Sequence, residues 1–161
     1  MPLTSIRPYT SEDAPAVRRC IVELQDAERL IDPRLLPGES MATPYLEHLL
    51  RQCADCDGTI LVAEAGGAVV GFATVLAQVV SERLDDPPGS YAIVTDLAVL
   101  ESMRRRGIGR ALLREAERYA GAAGATELRI GVLSENRPAR DLYLAAGFVP
   151  YVETLSKRPE T

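Results

Sequence analysis

The sequence lacks the features that mark several classes of protein. It has no apolar run of 18 residues, so a membrane-spanning helix is not expected. Its first residues do not show the basic segment followed by an apolar segment that is typical of a signal peptide. Three cysteines are an odd number, which argues against a disulfide framework. We therefore expect a cytoplasmic protein without membrane association.

Metal-binding residues are also scarce. The chain has a single histidine, His48, in a segment with helical spacing. Cys53 and Cys56 have the spacing of a redox motif, but no βαβ pattern surrounds them and no second pair could complete a zinc site. We expect no metal, and we expect these two cysteines and Cys20 to be small buried hydrophobic residues.

Positive charge is concentrated in the C-terminal part of the chain. Residues 1–100 contain 7 basic and 15 acidic side chains, whereas residues 101–161 contain 11 basic and 8 acidic ones. This separation favours an anion site in one part and a cation site in the other. The basic cluster is short and has no interleaved aromatic residues, so nucleic acid is not an expected partner.

The pattern of apolar residues predicts one α/β domain, of the α+β type, over residues 1–161. Strand and helix patterns follow the order β-α-α-β-β-β-α-β-α-β. The second helix is predicted to begin with Thr43 as its N-cap and Pro44 in its first turn. The last strand is predicted from "FVPYVETLSK", residues 148–157.

The segment "SMRRRGIGRALL", Ser102 to Leu113, lies between an apolar strand and an amphipathic helix. A helix N-terminus offers unpaired N–H groups and the positive end of a dipole. Glycine lets the backbone approach a ligand closely. The segment therefore predicts a site for a polyanion such as a pyrophosphate. Its charged and small residues are Arg104, Arg105, Arg106, Gly107, Gly109 and Arg110.

Two common phosphate loops do not fit this segment. A P-loop requires a lysine followed by serine or threonine, and neither is present. A dinucleotide fingerprint requires a third glycine where this chain has Leu112.

The segment Arg104-Arg105-Arg106-Gly107-Ile108-Gly109 resembles the acyl-CoA-binding motif of the GNAT superfamily of N-acetyltransferases. That motif is Arg or Gln, two residues, Gly, any residue, then Gly or Ala. The flanking "DLAV" and the later "SENRPARDLYLAAGF" also resemble family signatures, and "VAEAGGAVVGFATV" resembles its central hairpin. The resemblance covers nearly the whole chain and is strongest from about residue 59 onward.

The resemblance implies a GNAT-like fold, with a mixed, largely antiparallel central sheet of about six to seven strands flanked by about four helices. It implies acetyl-CoA as cosubstrate and no metal. Strand backbone would bond the pantetheine arm, loop amides would hold the pyrophosphate, and Asn136 would contact CoA near the pantetheine. Arg140 is assigned to the adenosine phosphates on charge alone. The implied cofactor-binding residues are Leu97, Ala98, Val99, Arg104, Arg105, Arg106, Gly107, Ile108, Gly109, Arg110, Asn136 and Arg140.

Acetyl transfer to an amine also requires acid and base groups. By resemblance, Tyr143 is the general acid that serves the leaving thiolate, and the N–H of Val99 stabilises the oxyanion. Several family members carry a glutamate on the strand after the CoA helix, where this chain has Gly131. Asp96 is the best remaining base, because it is a carboxylate inside an apolar run near the thioester site. Glu28, Glu64 or a chain of water molecules are the alternatives.

The acceptor is predicted from acidic residues in the N-terminal helices and in "ERLDDPPGS". A negative rim attracts a cationic amine, so we expect a primary amine of a small molecule, a peptide or a protein. The vacant position at Gly131 leaves a non-catalytic acyl-CoA-binding sensor or interaction module as the alternative. A homodimer is a tendency of the family. The predicted rim consists of Glu23, Asp26, Glu28, Asp32, Asp85 and Asp86.

Overall fold

The computed structural model describes residues 4–159. Within these residues five strands form one sheet, and there are four α-helices, of which the first three pack against the sheet. The strands are β1 (Ser5–Pro8), β2 (Thr59–Ala65), β3 (Ala68–Val80), β4 (Ser90–Val99) and β5 (Leu128–Ile130). The helices are α1 (Ala14–Arg29), α2 (Gly38–Asp55), α3 (Ile108–Ala122) and α4 (Arg137–Ala145), with short 3-10 turns at Ser11–Asp13 and Glu101–Met103.

The strands lie in chain order across the sheet. β1 to β4 are antiparallel neighbours, and β5 runs parallel to β4 because α3 forms the crossover between them. The central strand β3 is continuously buried from Val69 to Ala77. A strand buried without alternation is covered on both faces, so the helices enclose the sheet from both sides.

The predicted fold class is confirmed, but the predicted strand number is wrong. The described chain contains five strands, not six to seven. The segment 148–157, predicted as the last strand, forms no strand and is exposed from Val149 onward. Its β-branched and aromatic residues suit a strand, yet no neighbouring strand pairs with it among residues 4–159.

The predicted start of the second helix is also wrong. Helix α2 begins at Gly38, and Thr43 and Pro44 lie inside it. The Asp26 carboxylate accepts a 2.8 Å hydrogen bond from the Gly38 N–H and so satisfies one free group of the first turn. A Cβ at Gly38 would lie 2.6 Å from the carbonyl oxygen of Val22, so glycine permits the close approach of α2 to α1 at this point.

The two parallel strands separate towards the C-terminal end of β4. Pairing between them is limited to Ala92–Val94 with Leu128–Ile130. β4 continues to Val99, so its edge from Thr95 to Val99 has no paired strand within the described part of the chain. This opening places unpaired backbone between the two strands, at the end of the sheet where the arginine-glycine loop begins.

Other predictions from composition concern cysteines, metals and membranes. Cys20 is fully buried, and burial raises the pKa of the Cys20 and Cys53 thiols to about 11. Across residues 4–159, no group of three potential metal ligands comes together. No helix among these residues has both the length and the apolar character needed to cross a membrane.

Candidate active site

The arginine-glycine loop forms a tight turn at the start of α3. Arg105 and Gly107 both have left-handed backbone conformations, with φ of 63° and 80°. An L-residue held in this conformation costs on the order of 1–3 kcal/mol, and such strain is typical of ligand-binding turns. Gly107 is also the N-cap of α3 and has no side chain that could occupy the end of the helix.

The backbone N–H groups of this turn are free to donate hydrogen bonds to a ligand. Among residues 4–159, no acceptor is bonded to the backbone N–H groups from Arg105 to Arg110. Free N–H groups at a helix N-terminus, preceded by left-handed turn residues, form a concave site for an anion. The geometry therefore agrees with the pyrophosphate role predicted for this loop.

The arginines around the loop have no acidic partners in the described chain. Arg104 Nε donates a 3.0 Å hydrogen bond to the Val99 carbonyl, so this side chain helps to hold the loop against β4. Arg110 donates a 3.4 Å bond to the Ala145 carbonyl at the end of α4. Arg105, Arg106 and Arg140 leave their charge uncompensated, which favours an anionic ligand.

The free edge of β4 presents the backbone of alternate residues. The Leu100 N–H donates to the Val70 carbonyl at 2.9 Å, which fixes the phase of the ladder with β3. By the alternation of an antiparallel pair, the backbone groups of Ala98 face β3, whereas those of Leu97 and Val99 face the opening. Leu97 and Val99 are therefore the residues suited to an added strand, and Ala98 is not.

Gly109 has a packing role in addition to any contact with a ligand. A Cβ at this position would lie 3.1 Å from Leu142 Cδ2, so the glycine lets the start of α3 approach α4. Asn136 is the N-cap of α4, and its side chain accepts a 3.3 Å bond from the Ala139 N–H. These contacts hold α4, which carries Tyr143, close to the loop.

A cavity of about 130 Å³ lies next to this opening. Its walls come from α1, α2, the middle of β4, the residues after β5, and α4. It brings together Glu28, Tyr45, Asp96, Gly131 and Tyr143. Two predicted catalytic residues, Asp96 and Tyr143, thus line one cavity.

Asp96 is the most buried acid of the cavity, with 6% of its surface exposed. Its two carboxylate oxygens accept 2.8 Å hydrogen bonds from the hydroxyls of Tyr45 and Thr95. Burial raises the pKa of Asp96 above its ordinary value, and the two hydrogen bonds oppose that rise. A carboxylate with a raised pKa and a fixed orientation is suited to accept a proton from an amine.

Glu28 provides a second carboxylate, from α1. Burial raises the pKa of Glu28, and the negative charge of Asp96 raises it further. Two carboxylates in one small cavity repel each other, so a bound cation between them would be stabilised by both.

Tyr143 lies in α4 with 8% of its surface exposed. Burial raises the pKa of its hydroxyl to about 12, with further contributions from Glu28 and Asp96. The hydroxyl is therefore protonated at every pH at which the protein is expected to work. Its ring packs edge-on against Phe148, with ring centres 6.2 Å apart, which fixes the direction of the side chain.

The Acetyltransferase (GNAT) family model matches residues 22–148, which include the loop, α4 and every residue that lines the cavity except Ile21. The chain belongs to the GNAT family. It is an acetyltransferase, and acetyl-CoA is its acetyl donor. The predicted family and cosubstrate are thus confirmed.

Two relatives align with this acetyltransferase over most of its length. It is 34% identical to the uncharacterized N-acetyltransferase YhfO of Bacillus subtilis over 78% of this chain and 70% of that protein. It is 26% identical to the thialysine N-epsilon-acetyltransferase of Bos taurus over 91% of this chain and 85% of that protein. The crystallised aminoglycoside N-acetyltransferase AAC(6')-Iy, solved in complex with CoA, has the same fold, with a TM-score of 0.71, 20% identity and coverage of 100% of this chain and 97% of that one.

Glu64, one predicted alternative base, lies outside the cavity. Its carboxylate accepts hydrogen bonds from Arg7 at 3.0 and 3.1 Å, in a cluster in which Arg7 also binds Asp13. The positive charge of Arg7 stabilises the carboxylate form of Asp13. The structure therefore assigns Glu64 to a contact between β1 and β2, not to catalysis.

The predicted acidic rim is mostly engaged elsewhere in the acetyltransferase. Of its six residues, only Glu28 lines the cavity. The other five satisfy local backbone groups or pair with nearby arginines. Asp26 caps α2, Glu23 accepts from the Glu101 N–H, Asp32 pairs with Arg34, and Asp85 and Asp86 pair with Arg83.

Sequence reasoning missed Tyr45 and Thr95, whose hydroxyls donate hydrogen bonds to the Asp96 carboxylate. Tyr45 is 51 residues from Asp96 along the chain, in a helix that carries no recognised motif. No local spacing indicates that its hydroxyl reaches β4, because the contact depends on how α2 packs on the sheet. Thr95 directly precedes Asp96, and a hydroxyl beside a buried acid was the available signal.

Proposed function

We propose that the acetyltransferase transfers an acetyl group from acetyl-CoA to the primary amine of a small cationic molecule, by direct attack within a ternary complex. The observation that carries this proposal is the cavity in which Asp96 and Glu28 face Tyr143 beside the open edge of β4. The cavity offers negative charge for an ammonium group and lies next to the backbone suited to a thioester arm.

The donor site consists of the β4 edge and the loop. The pantetheine arm bonds to the backbone of Leu97 and to the Val99 carbonyl as an added strand, which leaves the Val99 N–H for the thioester oxygen. The pyrophosphate accepts hydrogen bonds from the free amides between Arg105 and Arg110. Arg105 and Arg106 neutralise part of the remaining phosphate charge.

The acceptor first loses a proton to become a nucleophile. Asp96 accepts a proton from the ammonium group, directly or through water, and the neutral nitrogen attacks the thioester carbonyl. A C–N bond forms, and the oxyanion accepts a hydrogen bond from the Val99 N–H. The C–S bond then breaks, the thiolate receives the hydrogen bond or proton of Tyr143, and the nitrogen loses its second proton to solvent.

The charge of the cavity supports an acceptor with positive charge. Glu28 adds a second carboxylate that stabilises an ammonium group before it loses its proton. The relatives named for thialysine and aminoglycoside acetylation act on compounds with amino groups, which agrees with this acceptor class. A lysine side chain or N-terminal amine of a peptide presents the same group on a larger body.

A panel of amines tests the proposal, with release of CoA thiol as the readout. The panel contains lysine analogues, polyamines, aminoglycosides, a lysine-containing peptide and anionic amines such as glutamate. We expect the highest kcat/KM for the small cationic amines. Turnover of the anionic amines alone would contradict the acceptor assignment, and preference for the peptide would assign a protein acceptor instead.

A further inference from the structure

Thr74, in the middle of β3, has a buried hydroxyl without a hydrogen-bond partner. Its side chain is fully buried, and within residues 4–159 its Oγ1 is the only buried side-chain oxygen or nitrogen that bonds to no other group. Buried polar groups are nearly always paired, because an unpaired one loses its bonds to water without replacement. An orphaned hydroxyl in the centre of the sheet therefore indicates a nearby partner that it meets in another state of the site.

Asp96 is the residue directly opposite Thr74. The two residues pair across β3 and β4, and Ile60 of β2 is the neighbour of Thr74 on its other side. Side chains of directly opposite residues lie on one face of the sheet, with Cβ atoms about 4.5–5.5 Å apart. The side chain of Ile60 has no polar atom, so Asp96 is the cross-strand neighbour that can accept a hydrogen bond from the hydroxyl.

The Asp96 carboxylate has unused positions for hydrogen bonds. A carboxylate accepts up to about four hydrogen bonds, shared between its two oxygens. Tyr45 fills one position on Oδ1 and Thr95 fills one on Oδ2. A buried charge is stable only when further donors satisfy its remaining lone pairs, so the ionised form of Asp96 gains from a third donor.

Five ionisable groups of the surrounding helices interact with Asp96. Only one of them, the Tyr45 hydroxyl, donates a hydrogen bond to the carboxylate within the described chain. Burial raises the pKa of Asp96, and the positive charge of His48 opposes that rise without a hydrogen bond. The five groups are Glu28 of α1, Tyr45, His48 and Cys53 of α2, and Tyr143 of α4.

We propose that Thr74 is a positioning residue for Asp96: its hydroxyl turns toward the carboxylate and donates a third hydrogen bond when Asp96 is ionised. Rotation about the Cα–Cβ bond moves the hydroxyl among staggered positions, of which two are common in strands. The bond stabilises the ionised form of Asp96 together with those of Tyr45 and Thr95.

The contact has a consequence for proton transfer, which rests on the proposed function of Asp96 as the base. Three donors hold the ionised carboxylate in one orientation before it accepts a proton from the amine. When Asp96 takes that proton its negative charge disappears, and the Thr74 hydroxyl returns to the unbonded orientation that the structure shows.

Carboxyl ¹³C NMR over a pH series tests the contact without turnover, and the resonance of Asp96 is assigned by its loss in Asp96→Asn. Thr74→Val removes the hydroxyl and keeps the approximate shape of the side chain. We expect this variant to raise the pKa of Asp96, with an acid dissociation constant lower by about tenfold or more. An unchanged or lowered pKa would overturn the proposal.

Two further variants separate the hydrogen bond from packing. Thr74→Ser keeps the hydroxyl, so the pKa of Asp96 is expected to stay close to its wild-type value. Thr59→Val is the matched control, because Thr59 precedes Ile60 and so lies on the opposite face of β2, with its hydroxyl 3.5 Å from the Ile60 carbonyl oxygen. An equal rise of the pKa in either of these variants would assign the effect to packing and overturn the proposal.

Unfolding measured as a function of pH gives a second readout. The Thr74 hydroxyl stabilises only ionised Asp96, so Thr74→Val is expected to lower stability above the pKa of Asp96. The difference from wild type is lost as the pH falls through that pKa. A hydroxyl that stays unpaired gives the opposite result, since valine then stabilises the fold at every pH, and that outcome would exclude the contact.

The pH dependence of kcat/KM separates this contact from the proposed function. An acidic limb that moves to higher pH in Thr74→Val, together with the pKa of Asp96, supports both. A raised pKa with an unmoved limb supports the contact and refutes the role of Asp96 as the base.

Discussion

The Tyr45 hydroxyl donates a 2.8 Å hydrogen bond to Asp96 Oδ1 and thereby joins helix α2 to strand β4. Burial and the charges of Asp96 and Glu28 raise the pKa of Tyr45, so the hydroxyl is a donor throughout the working range of pH. The bond stabilises the charged form of Asp96. Tyr45 therefore sets both the direction and the basicity of the proposed catalytic base.

Tyr45→Phe is expected to shift the pH dependence of kcat/KM. Loss of the hydrogen bond removes a contribution that lowers the pKa of Asp96, so the acidic limb of the profile moves to higher pH. One lost hydrogen bond to a charged group also destabilises the fold by about 1.5–3 kcal/mol. Tyr119→Phe is the control, because the Tyr119 hydroxyl contacts the exposed Asp57 carbonyl away from the cavity. An unchanged profile would contradict the positioning role.

Asp96→Asn is expected to reduce kcat by about 10²–10⁴-fold, the usual contribution of a general base. Binding of acetyl-CoA is expected to persist, since the carboxylate bonds to the hydroxyls of Tyr45 and Thr95 and not to Leu97, Val99 or the loop. In the unmodified protein, we expect activity to fall as the pH decreases through the pKa of Asp96, which burial raises above the ordinary value of an aspartate. Steady-state kinetics and calorimetry with CoA measure the two effects. Asp86→Asn is the matched control, and equal losses in both variants would refute the assignment.

Tyr143→Phe is expected to lower kcat by about 10²-fold, with little change in the KM of the amine. In the proposed mechanism the hydroxyl serves the leaving thiolate, so its loss is expected to affect cleavage of the C–S bond more than binding. Single-turnover measurement of acetyl transfer separates this step from product release. Wild-type rates in the phenylalanine variant would remove Tyr143 from the mechanism.

Gly107→Ala is expected to weaken CoA binding and to destabilise the fold by about 1–2 kcal/mol. An alanine must adopt a φ of 80° at this position, which L-residues disfavour. Gly121→Ala is a matched control in the same helix, because a Cβ there meets nothing within 4 Å and the backbone is helical. That substitution is expected to stabilise the helix by about 0.5–1 kcal/mol. Thermal unfolding and calorimetry with CoA measure both variants, and equal CoA affinities would contradict the role of the turn.

Asp13→Asn is expected to destabilise the fold without altering the active site. Arg7 lowers the pKa of Asp13 from 3.8 to about 2, through two hydrogen bonds of 2.8 and 2.9 Å. A lowered folded-state pKa means that the stabilisation is complete above pH 4 and is lost as the pH falls towards 2. Urea unfolding between pH 2 and 6 tests this, and Glu12→Gln serves as the exposed control. The asparagine variant should show a flatter dependence on pH, and the same slope as wild type would disprove the linkage.

Local sequence patterns were sufficient to predict some parts of the structure. The arginine-glycine turn was predictable because its function depends on consecutive residues, with glycine conformation, free amides and charge all in one segment. The cap at Asn136 and the position of Tyr143 in α4 were predictable for the same reason. The start of α2 was not, because the Asp26 carboxylate and the contact of Gly38 with Val22 decide it from another helix.

The sequence by itself determined the family and the acetyl donor and predicted an anion-binding turn, since each depends on neighbouring residues. Only the tertiary structure decided which acids lie together. Helix packing brought Glu28 to Asp96, and the fold assigned Glu64 and the other five acids of the predicted rim to local partners. Only the tertiary structure also limited the sheet to five strands among residues 4–159, because residues 148–157 pair with no neighbouring strand there, whatever their own residue types prefer.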